Sequence, residues 1–420
     1  MIPLAAFVTR CRRPPAATQR LLSTKISPIN KPYPPLSQAP TLPAKWYRCP
    51  EQYEKERKRI FWTQWHCIGS SSQLNSPREY ITDTIAGWPI IVQRARKAKE
   101  LSEDSPTTTL RAYHNVCRHR AGPLALPQET ISLTVDSPAS GISPVNGFRC
   151  KYHGWTYSES GAVAKACGEC SPAALPEFDR GDMGLYPVEV REEMGLIFVR
   201  LHCERAIGMG LESPISREEA VRLVPTFEEQ FADAIVALRE VGLEDFKFHS
   251  MKTHELKCNW KTYVDNYSEG YHIFCCHENL NNEISAQGDY RVEVSPSGRS
   301  MRHVVPLKEE SEAETSGVWV FAFPNIAFNV YGQGISVERM VPLTPTTMAI
   351  KYIYAFKDGT DEATMKQSIA GSLELTEEDR EIAEQVQRNL DSGIYTASRY
   401  SPRHENGLYA FHKGVWEACA

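Results

Sequence analysis

The chain lacks the long apolar runs of a membrane-spanning protein, since no stretch approaches the roughly 18 consecutive apolar residues that a spanning helix needs. It also lacks a strong charge of either sign, and a formal net charge of −5 gives no signature of nucleic-acid binding. No Gly-x-Gly-x-x-Gly follows a predicted strand, and no flavin motif is present. What remains is a globular chain of 420 residues, which is long enough for two or three domains.

Acidic residues are absent from the first 50 positions, where basic and apolar residues are interleaved. This composition is typical of an organelle presequence, and we predict one over residues 1–25. The mitochondrial matrix is the first expected destination, with the plastid stroma or the cytoplasm as alternatives. A merely basic, disordered tail is the other interpretation of this stretch. Residues 26–45 are rich in proline and predict a semi-rigid linker.

The twelve cysteines do not have the spacing of a disulfide framework, and no secretory segment precedes them. We therefore predict reduced thiols, some of which bind metal. The lone pair Cys167 and Cys170 has the Cys-x-x-Cys spacing but no second pair and no βαβ context, so we interpret it as a loop.

The predicted elements change character along the chain. A helical run over Glu51 to about Trp65 precedes β-rich pieces, which are separated by Gly, Pro, Ser and Asn from Cys67 to Leu201. This pattern predicts an N-terminal helix plus an all-β domain over residues 46–201.

A helical stretch, Ser216 to about Glu240, opens the second half of the chain. Strand-like pieces then return, and a long C-terminal helix is predicted from Thr376. The pattern indicates an α+β domain over residues 202–420, so the protein is predicted to be α+β overall.

Cys117-x-His119 and Cys150-x-x-His153 form the first metal pattern, and turn residues lie beside each half. Two β-hairpin tips facing each other would bring the four side chains to one centre. Two thiolates and two imidazoles suit either a structural zinc or a Rieske [2Fe–2S] cluster, and spacing alone leaves both open.

The flanks of this pattern, residues 113–122 and 150–157, resemble the two cluster loops of Rieske non-haem iron oxygenases. The resemblance implies a [2Fe–2S] cluster held by these four ligands and an N-terminal all-β Rieske domain. Arg120–Arg149 is longer than the usual gap in the family. We expect its extra residues to loop away from the cluster, at the rim where an electron donor docks.

His272 and His277 form the second metal pattern, with Glu269 three positions earlier. Imidazole plus carboxylate is the ligand set of a non-haem iron(II) site that leaves positions open for oxygen. Because residues five apart do not share a helix face, the segment must distort to bring both rings to one metal.

The third ligand is predicted to be Asp379 on the C-terminal helix, with Glu378 as the second choice. Asp379 falls on the predicted apolar stripe of that helix, where a carboxylate must be paired or bind metal. The alternative is that Asp379 completes a capping box begun by Thr376. The stripe consists of Ile382, Ala383, Val386 and Leu390.

Residues 259–277 resemble the iron motif of the same family, and residues 378–412 resemble the C-terminal signature of its choline monooxygenase-like, quaternary-amine branch. The resemblance implies a helix-grip-like catalytic domain with an antiparallel sheet, and a head-to-tail homotrimer. It also implies that Glu269 bridges the His153 of one subunit and the His272 of the next, with Asn266 beside it. Electrons are expected from a ferredoxin or a flavin/iron–sulfur reductase.

A quaternary ammonium cannot be hydrogen-bonded, so aromatic faces are expected to hold it. Phe321, Phe328 and Tyr331 are the predicted substrate-binding residues. With O2, the expected reaction is choline to betaine aldehyde, and the alternative is N-demethylation of glycine betaine, carnitine or a similar amine. An aromatic-ring dioxygenase, a Rieske electron carrier and a zinc-stabilised binding module are the competing interpretations.

Overall fold

The computed structural model describes residues 32–96, 108–126, 139–166, 177–284, 290–308 and 317–419. The predicted presequence and the Cys167/Cys170 pair lie outside these residues, as does the middle of Arg120–Arg149. Across the described residues, no helix combines the length and the apolar character required to cross a bilayer.

An N-terminal helix ties the two domains together. Helix α1 (Pro50–Glu56) begins with proline in its first turn and continues as a π turn, Arg57–Phe61, so the helical run ends before Trp65. Glu56 accepts two hydrogen bonds from the Lys261 ammonium, at 2.8 and 2.9 Å, and both side chains are fully buried. The ion pair therefore anchors α1 against the catalytic domain.

The first domain is built from two antiparallel sheets. In the described part of the chain, seven strands follow the order β1-β10-β9-β4-β3-β2-β5, and a smaller sheet has the order β6-β7-β8. The strands are β1 His66–Ser70, β2 Glu79–Ile85, β3 Trp88–Arg96, β4 Thr108–His114, β5 Ala139–Ile142, β6 Phe148–Arg149, β7 Thr156–Tyr157, β8 Val163–Lys165, β9 Pro187–Glu193 and β10 Leu196–Arg200.

The second domain is organised around one antiparallel sheet of seven described strands, in the order β11-β17-β16-β15-β14-β13-β12. Side chains alternate across it: Val320 and Ala322 of β14 join the core on one face, whereas Trp319 and Phe321 join the core on the other. The strands are β11 Phe246–Leu256, β12 Arg291–Val294, β13 Ser300–Val304, β14 Val318–Ala322, β15 Ile326–Tyr331, β16 Gly334–Thr344 and β17 Thr347–Lys357.

Helices cover this sheet on both faces. Helix α4 packs on the face of Val320, and the helices that carry the site lie on the face of Trp319. The helices after α1 are α2 Glu204–Gly208, α3 Arg217–Leu223, α4 Phe227–Glu240, α5 Trp260–Tyr267, α6 Ile273–Cys276, α7 Glu278–Glu283, α8 Glu362–Asp391 and α9 Asn406–Cys419.

Two helix predictions need correction. The stretch Ser216–Glu240 is two helices, because Thr226 begins a new capping box that starts α4. Helix α8 begins at Glu362, fourteen residues before Thr376, with Asp361 as its N-cap. The first half of α8 is largely exposed, and Met365 and Ile369, which are partly buried, pack from it against the core.

The buried stripe of α8 also differs from the prediction. Ile382 and Val386 are 44% and 40% exposed, whereas Ala383 and Leu390 are buried as expected. Gln387 completes the buried face, where its amide oxygen accepts a hydrogen bond from the Asn259 backbone N–H at 2.9 Å. A polar residue therefore occupies a core position that the apolar pattern did not reveal.

A buried charge cluster joins the two domains. Asp83 of β2 accepts from Arg339 of β16 at 2.5 Å and from Lys351 of β17 at 2.6 Å. The Asp83 side chain is only 6% exposed. The large sheet of the catalytic domain is thus held directly against the first domain.

Candidate metal centres and substrate cavity

Two loops at one end of the first domain carry the four predicted cluster ligands. In the first loop, the Asn115 side chain accepts from the backbone N–H groups of Leu124 and Ala125 at 2.9 and 3.1 Å, which closes the turn after β4. In the second loop, the Cys150 N–H donates to the Trp155 carbonyl at 2.7 Å. Lys151 N–H donates across to the Pro123 carbonyl at 3.1 Å, so the loops face each other.

These two loops carry two buried thiols and two neighbouring imidazoles. The rings of His119 and His153 lie 4.8 Å apart between centroids, and His119 stacks on Trp155. Cys117 and Cys150 are buried, and Cys117 Sγ lies 3.1 Å from the Tyr157 hydroxyl. Nδ1 of His119 is buried without a hydrogen-bond partner. A [2Fe–2S] cluster with two cysteine and two histidine ligands fits this donor set.

Gly122 explains how the first loop approaches the second so closely. A Cβ at this position would lie 2.8 Å from Cys150 Sγ and 2.8 Å from Tyr152 Cβ. A side chain here would push into the space beside the buried thiol, so the close approach requires glycine.

The second metal pattern is assembled by a break between helices. Helix α5 ends at Tyr267, and the short helix α6 begins after His272. His277 lies between α6 and α7 with an irregular backbone, φ −121° and ψ 81°. Residues five apart do not share a face of a continuous helix. Because the helix is interrupted here, both histidine rings can still face one point.

His272, His277 and Asp379 meet at one point. Nε2 of His272 lies 3.2 Å from Nε2 of His277, and Oδ1 of Asp379 lies 3.1 Å from Nε2 of His277 and 3.7 Å from Nε2 of His272. Asp379 Oδ1 is buried, and despite the 3.1 Å approach it accepts no hydrogen bond of good geometry. Two imidazole nitrogens and a free carboxylate oxygen within 4.8 Å of one another fit a non-haem iron(II) site.

A carboxylate stands behind each of the two histidines. Nδ1 of His272 lies 2.6 Å from Glu269 Oε1, and Nδ1 of His277 lies 2.6 Å from Glu378 Oε2. Such carboxylates orient the rings and leave Nε2 free for a metal. Burial lowers the pKa of His277, but Asp379 and Glu378 outweigh it and raise the pKa to about 9, so the site favours positive charge.

Helix α8 carries both of the predicted carboxylates. Asp379 is the carboxylate that faces both imidazoles, and Glu378 lies behind His277. Thr376 sits in mid-helix, where its hydroxyl bonds the Ser372 carbonyl at 2.8 Å, so it begins no capping box.

The metal-binding point opens into a cavity of about 90 Å³. Asn266 and Glu269 line it, as does the predicted substrate residue Tyr331. Six aromatic side chains form much of its wall: Tyr263, Tyr267, Tyr290, Trp319, Tyr331 and Tyr352.

Phe321 and Phe328 do not line this cavity. Phe328 belongs to the core on the opposite face of the sheet. Phe321 is on the cavity side but lies behind Tyr267, with ring centroids 6.0 Å apart. The sequence pattern identified an aromatic strand, but it did not reveal which rings the register places in the first layer.

Glu338, a buried residue of β16 that is not among the predicted site residues, also lines the cavity. Its carboxylate accepts hydrogen bonds from the Tyr352 hydroxyl at 3.1 Å and from the Asn329 amide at 3.2 Å. The sequence carries a signal, since Glu338 and Arg339 are the two charged residues of the otherwise uncharged strand Gly334–Thr344. A charged side chain in such a strand needs a partner or a function.

A groove of about 600 Å³ lies on the other side of the iron segment. Asn266, Glu269 and His272 line both this groove and the substrate cavity. The exposed residues Ile382 and Val386 form part of its rim. The Glu269–His272 pair therefore lies between this groove and the candidate metal site.

Residues 64–178 match the family of Rieske [2Fe-2S] domains, and residues 243–420 match the ring hydroxylating alpha subunit (catalytic domain) family. The protein is therefore a Rieske oxygenase, with a cluster domain followed by a mononuclear-iron catalytic domain. The predicted α+β class and both metal cofactors are confirmed, and the match to a catalytic domain sets aside the electron-carrier and zinc-module interpretations.

The chain is also similar in sequence to individual oxygenases over most of its length. The chain is 26% identical over 389 residues to the chloroplastic choline monooxygenase of Arabidopsis thaliana, covering 90% of this chain and 82% of the relative. It is 25% identical over 395 residues to the carnitine monooxygenase oxygenase subunit of Escherichia coli K12, covering 89% and 92%.

Solved structures share the fold. The quaternary ammonium Rieske monooxygenase CntA, in complex with L-carnitine, superposes with a TM-score of 0.71 at 23% identity and covers 91% of this chain and 96% of its own. Naphthalene 1,2-dioxygenase from Rhodococcus superposes with a TM-score of 0.67 at 17% identity, covering 90% and 94%.

Proposed function

We propose that the protein is a terminal oxygenase that hydroxylates a quaternary ammonium compound, with choline as substrate and its alcohol carbon as the position attacked. The observation that carries this proposal is the convergence of His272, His277 and Asp379 at the end of an aromatic-walled cavity. The similarity to choline and carnitine monooxygenases supports the substrate class. Choline, O2, two electrons and two protons would give the hydrate of betaine aldehyde and one water.

Each group of residues has a separate task in this reaction. His272, His277 and Asp379 would hold the mononuclear iron, which supplies oxygen activation when bound. Glu269 and Glu378 hold the two imidazoles with Nε2 facing the metal. The tyrosine and tryptophan walls bind the cation through their ring faces and keep bulk water away from the reacting carbon.

Electrons enter through the cluster domain. Cys117, His119, Cys150 and His153 would hold the [2Fe–2S] cluster. We infer a head-to-tail homotrimer, in which the cluster of one subunit docks in the groove beside Glu269 of the next. The open groove and its exposed apolar rim support this arrangement. The related CntA structure gave insight into inter-subunit electron transfer in that protein. A ferredoxin or a flavin/iron–sulfur reductase would supply the electrons.

A second candidate function is oxidative N-demethylation, in which a hydroxylated methyl group leaves as formaldehyde. The similarity to the carnitine monooxygenase oxygenase subunit supports a methylated amine other than choline as the substrate. Glycine betaine and carnitine are the substrates to compare with choline.

We also propose that residues 1–25 direct the protein into an organelle. Their acid-free, basic and apolar composition supports import. The mitochondrial matrix was our first expectation, but the chloroplastic relatives favour the plastid stroma. Fusing residues 1–45 to a fluorescent protein and imaging plant cells would distinguish the two.

The function is tested with purified holoprotein, a surrogate reductase and O2. Product formation and oxygen uptake are measured with choline, glycine betaine, carnitine and naphthalene. We expect betaine aldehyde from choline, with oxygen uptake coupled to product. Formaldehyde from a methylated amine would instead establish demethylation, and a dihydrodiol from naphthalene would overturn the proposal.

A further inference from the structure

Glu338 is a buried carboxylate without a cationic partner. The residue is only 4% exposed, and its side chain lines the same cavity as Asp379. Its two oxygens accept hydrogen bonds from Tyr352 and Asn329, which are both neutral. Among the described residues, no lysine, arginine or histidine forms an ion pair with it.

Such a group is costly for the folded protein. Neutral hydrogen-bond donors offset only part of the free energy of removing a carboxylate from water. Burial, the largest effect, and the nearby charge of Asp379 raise the pKa of Glu338 to about 7. A cation beside the carboxylate would reverse this effect and hold it ionised. An unpaired acid in a cleft therefore points to a functional role.

The remaining charges of the cavity point in the same direction. Three carboxylates line it, those of Glu269, Glu338 and Asp379. Within the described residues its lining contains no lysine or arginine. The two undescribed stretches of the catalytic domain before Ala420, residues 285–289 and 309–316, contain none either. A bound divalent iron would leave one negative charge, which a single monocation neutralises.

We propose that Glu338 is the counter-charge of the substrate's quaternary ammonium, and that the cavity selects net cations over carboxylate-bearing zwitterions. This inference rests on the proposed function and deepens it: it favours choline over glycine betaine and carnitine. The aromatic walls attract any trimethylammonium group. A substrate carboxylate would face the three acids and find no cationic side chain, so it would be repelled.

Ligand binding to the holoprotein under nitrogen tests this selectivity directly. Isothermal titration calorimetry would compare choline with 3,3-dimethylbutan-1-ol, its uncharged carbon isostere, and with glycine betaine. For the unmodified protein we expect choline to bind about 10- to 100-fold more tightly than either. In Glu338→Gln, the affinity for choline should fall by a similar factor, whereas the affinity for the isostere should stay the same.

A control variant separates local from general charge effects. Glu255→Gln removes the same charge from an exposed position of β11 in the same sheet. It should leave all three affinities unchanged. The cluster absorption spectrum and the melting temperature establish that each variant is folded.

The outcomes distinguish this inference from the proposed function. If the unmodified protein binds neither choline nor glycine betaine, the proposed function fails. If it binds choline but Glu338→Gln binds it equally well, Glu338 is not the counter-charge. If glycine betaine binds the unmodified protein as tightly as choline, the cation selectivity is wrong, and this comparison needs no variant to fold.

Discussion

Glu269 Oε1 lies 2.6 Å from Nδ1 of His272, and the same carboxylate accepts the backbone N–H groups of Tyr271 and His272 through Oε2. Three donors thus hold one acid between the open groove and the ring whose Nε2 faces the metal-binding point. A carboxylate held in this way has little freedom to turn, so it can fix both the position and the tautomer of the imidazole.

With iron supplied in excess, Glu269→Gln is expected to slow turnover by about 100-fold, in addition to the weaker iron binding that follows from its contact with His272. The amide can still bond Nδ1, but it carries no charge to stabilise the pathway between the two centres. Rapid mixing of the reduced protein with O2 and substrate would follow reoxidation of the cluster, which should slow by the same factor. Glu405→Gln removes a carboxylate from the same groove, and its cluster should be reoxidised at the rate of the unmodified protein. Reoxidation of Glu269→Gln at the unmodified rate would exclude the bridging role.

Asp379→Ala is expected to lose the mononuclear iron while keeping the cluster. Removal of one of three ligands should weaken iron binding at least about 100-fold. Metal analysis after dialysis against a mild chelator measures the loss, and the visible spectrum reports the cluster. Glu381→Gln, an exposed acid two residues further along α8, should retain its iron. Retention of iron by Asp379→Ala would remove this residue from the ligand set.

Glu378→Gln separates the supporting acid from the ligand. Because Glu378 bonds Nδ1 of His277, its loss should weaken iron binding by about 10- to 100-fold, less than the loss of Asp379. Titration of the metal-depleted protein with Fe(II) under nitrogen gives both affinities. Equal effects of the two substitutions would mean that Glu378 is itself a ligand.

The candidate metal ligands could be predicted from the sequence because their chemistry is local. Cys-x-His, Cys-x-x-His and the paired histidines each lie within a few positions, so the pattern survives any error in the fold. Asp379 required only one additional step, the choice of a helix face. The structure places Asp379 on the face of α8 that contains Ala383, although Ile382 and Val386 of the predicted stripe are exposed and α8 starts fourteen residues earlier than predicted.

The substrate cavity was harder to predict because it depends on register between distant strands. Phe328 and Tyr331 are three positions apart on β15, so they point to opposite faces of the sheet. Glu338 pairs with Tyr352 across β16 and β17, and the Tyr352 hydroxyl contacts the Thr376 hydroxyl of α8. This pairing brings Glu338 beside the helix that carries Asp379. The opposite orientation of Phe328 and Tyr331 follows locally from the alternation of a strand, but the face that carries the cavity and the pairing of Glu338 with Tyr352 depend on contacts between strands, for which a single chain gives no signal.

The domain junction gives a prediction about stability. Burial alone would raise the pKa of Asp83, but Arg339 and Lys351 hold it well below its ordinary value. Asp83→Asn leaves Arg339 buried without its partner and should lower the free energy of unfolding at pH 7 by about 3–5 kcal/mol. Urea denaturation followed by circular dichroism measures this difference.

The pH dependence of that difference follows from the direction of the shift. A carboxylate whose pKa is depressed by folding stabilises the protein above its unfolded value of about 3.9 and loses this contribution as the pH falls further. The difference in the free energy of unfolding between the unmodified protein and Asp83→Asn should therefore narrow below about pH 4. Asp182→Asn, at an exposed position, should show no gap at either pH. A gap that widens in acid would contradict the ion-pair account.

Ile382 and Val386 are exposed beside the groove that contains Glu269, and in the proposed trimer a neighbouring subunit covers them. Ile382→Asp together with Val386→Asp should shift the solution mass from trimer to monomer, since two charges would be buried at the interface. Light scattering after size exclusion measures the mass. Both metal contents should persist, whereas cluster reoxidation should become dependent on protein concentration. Val236→Asp, on the exposed face of α4, is the control and should stay trimeric. If the double variant at Ile382 and Val386 also stays trimeric, the subunit interface lies elsewhere.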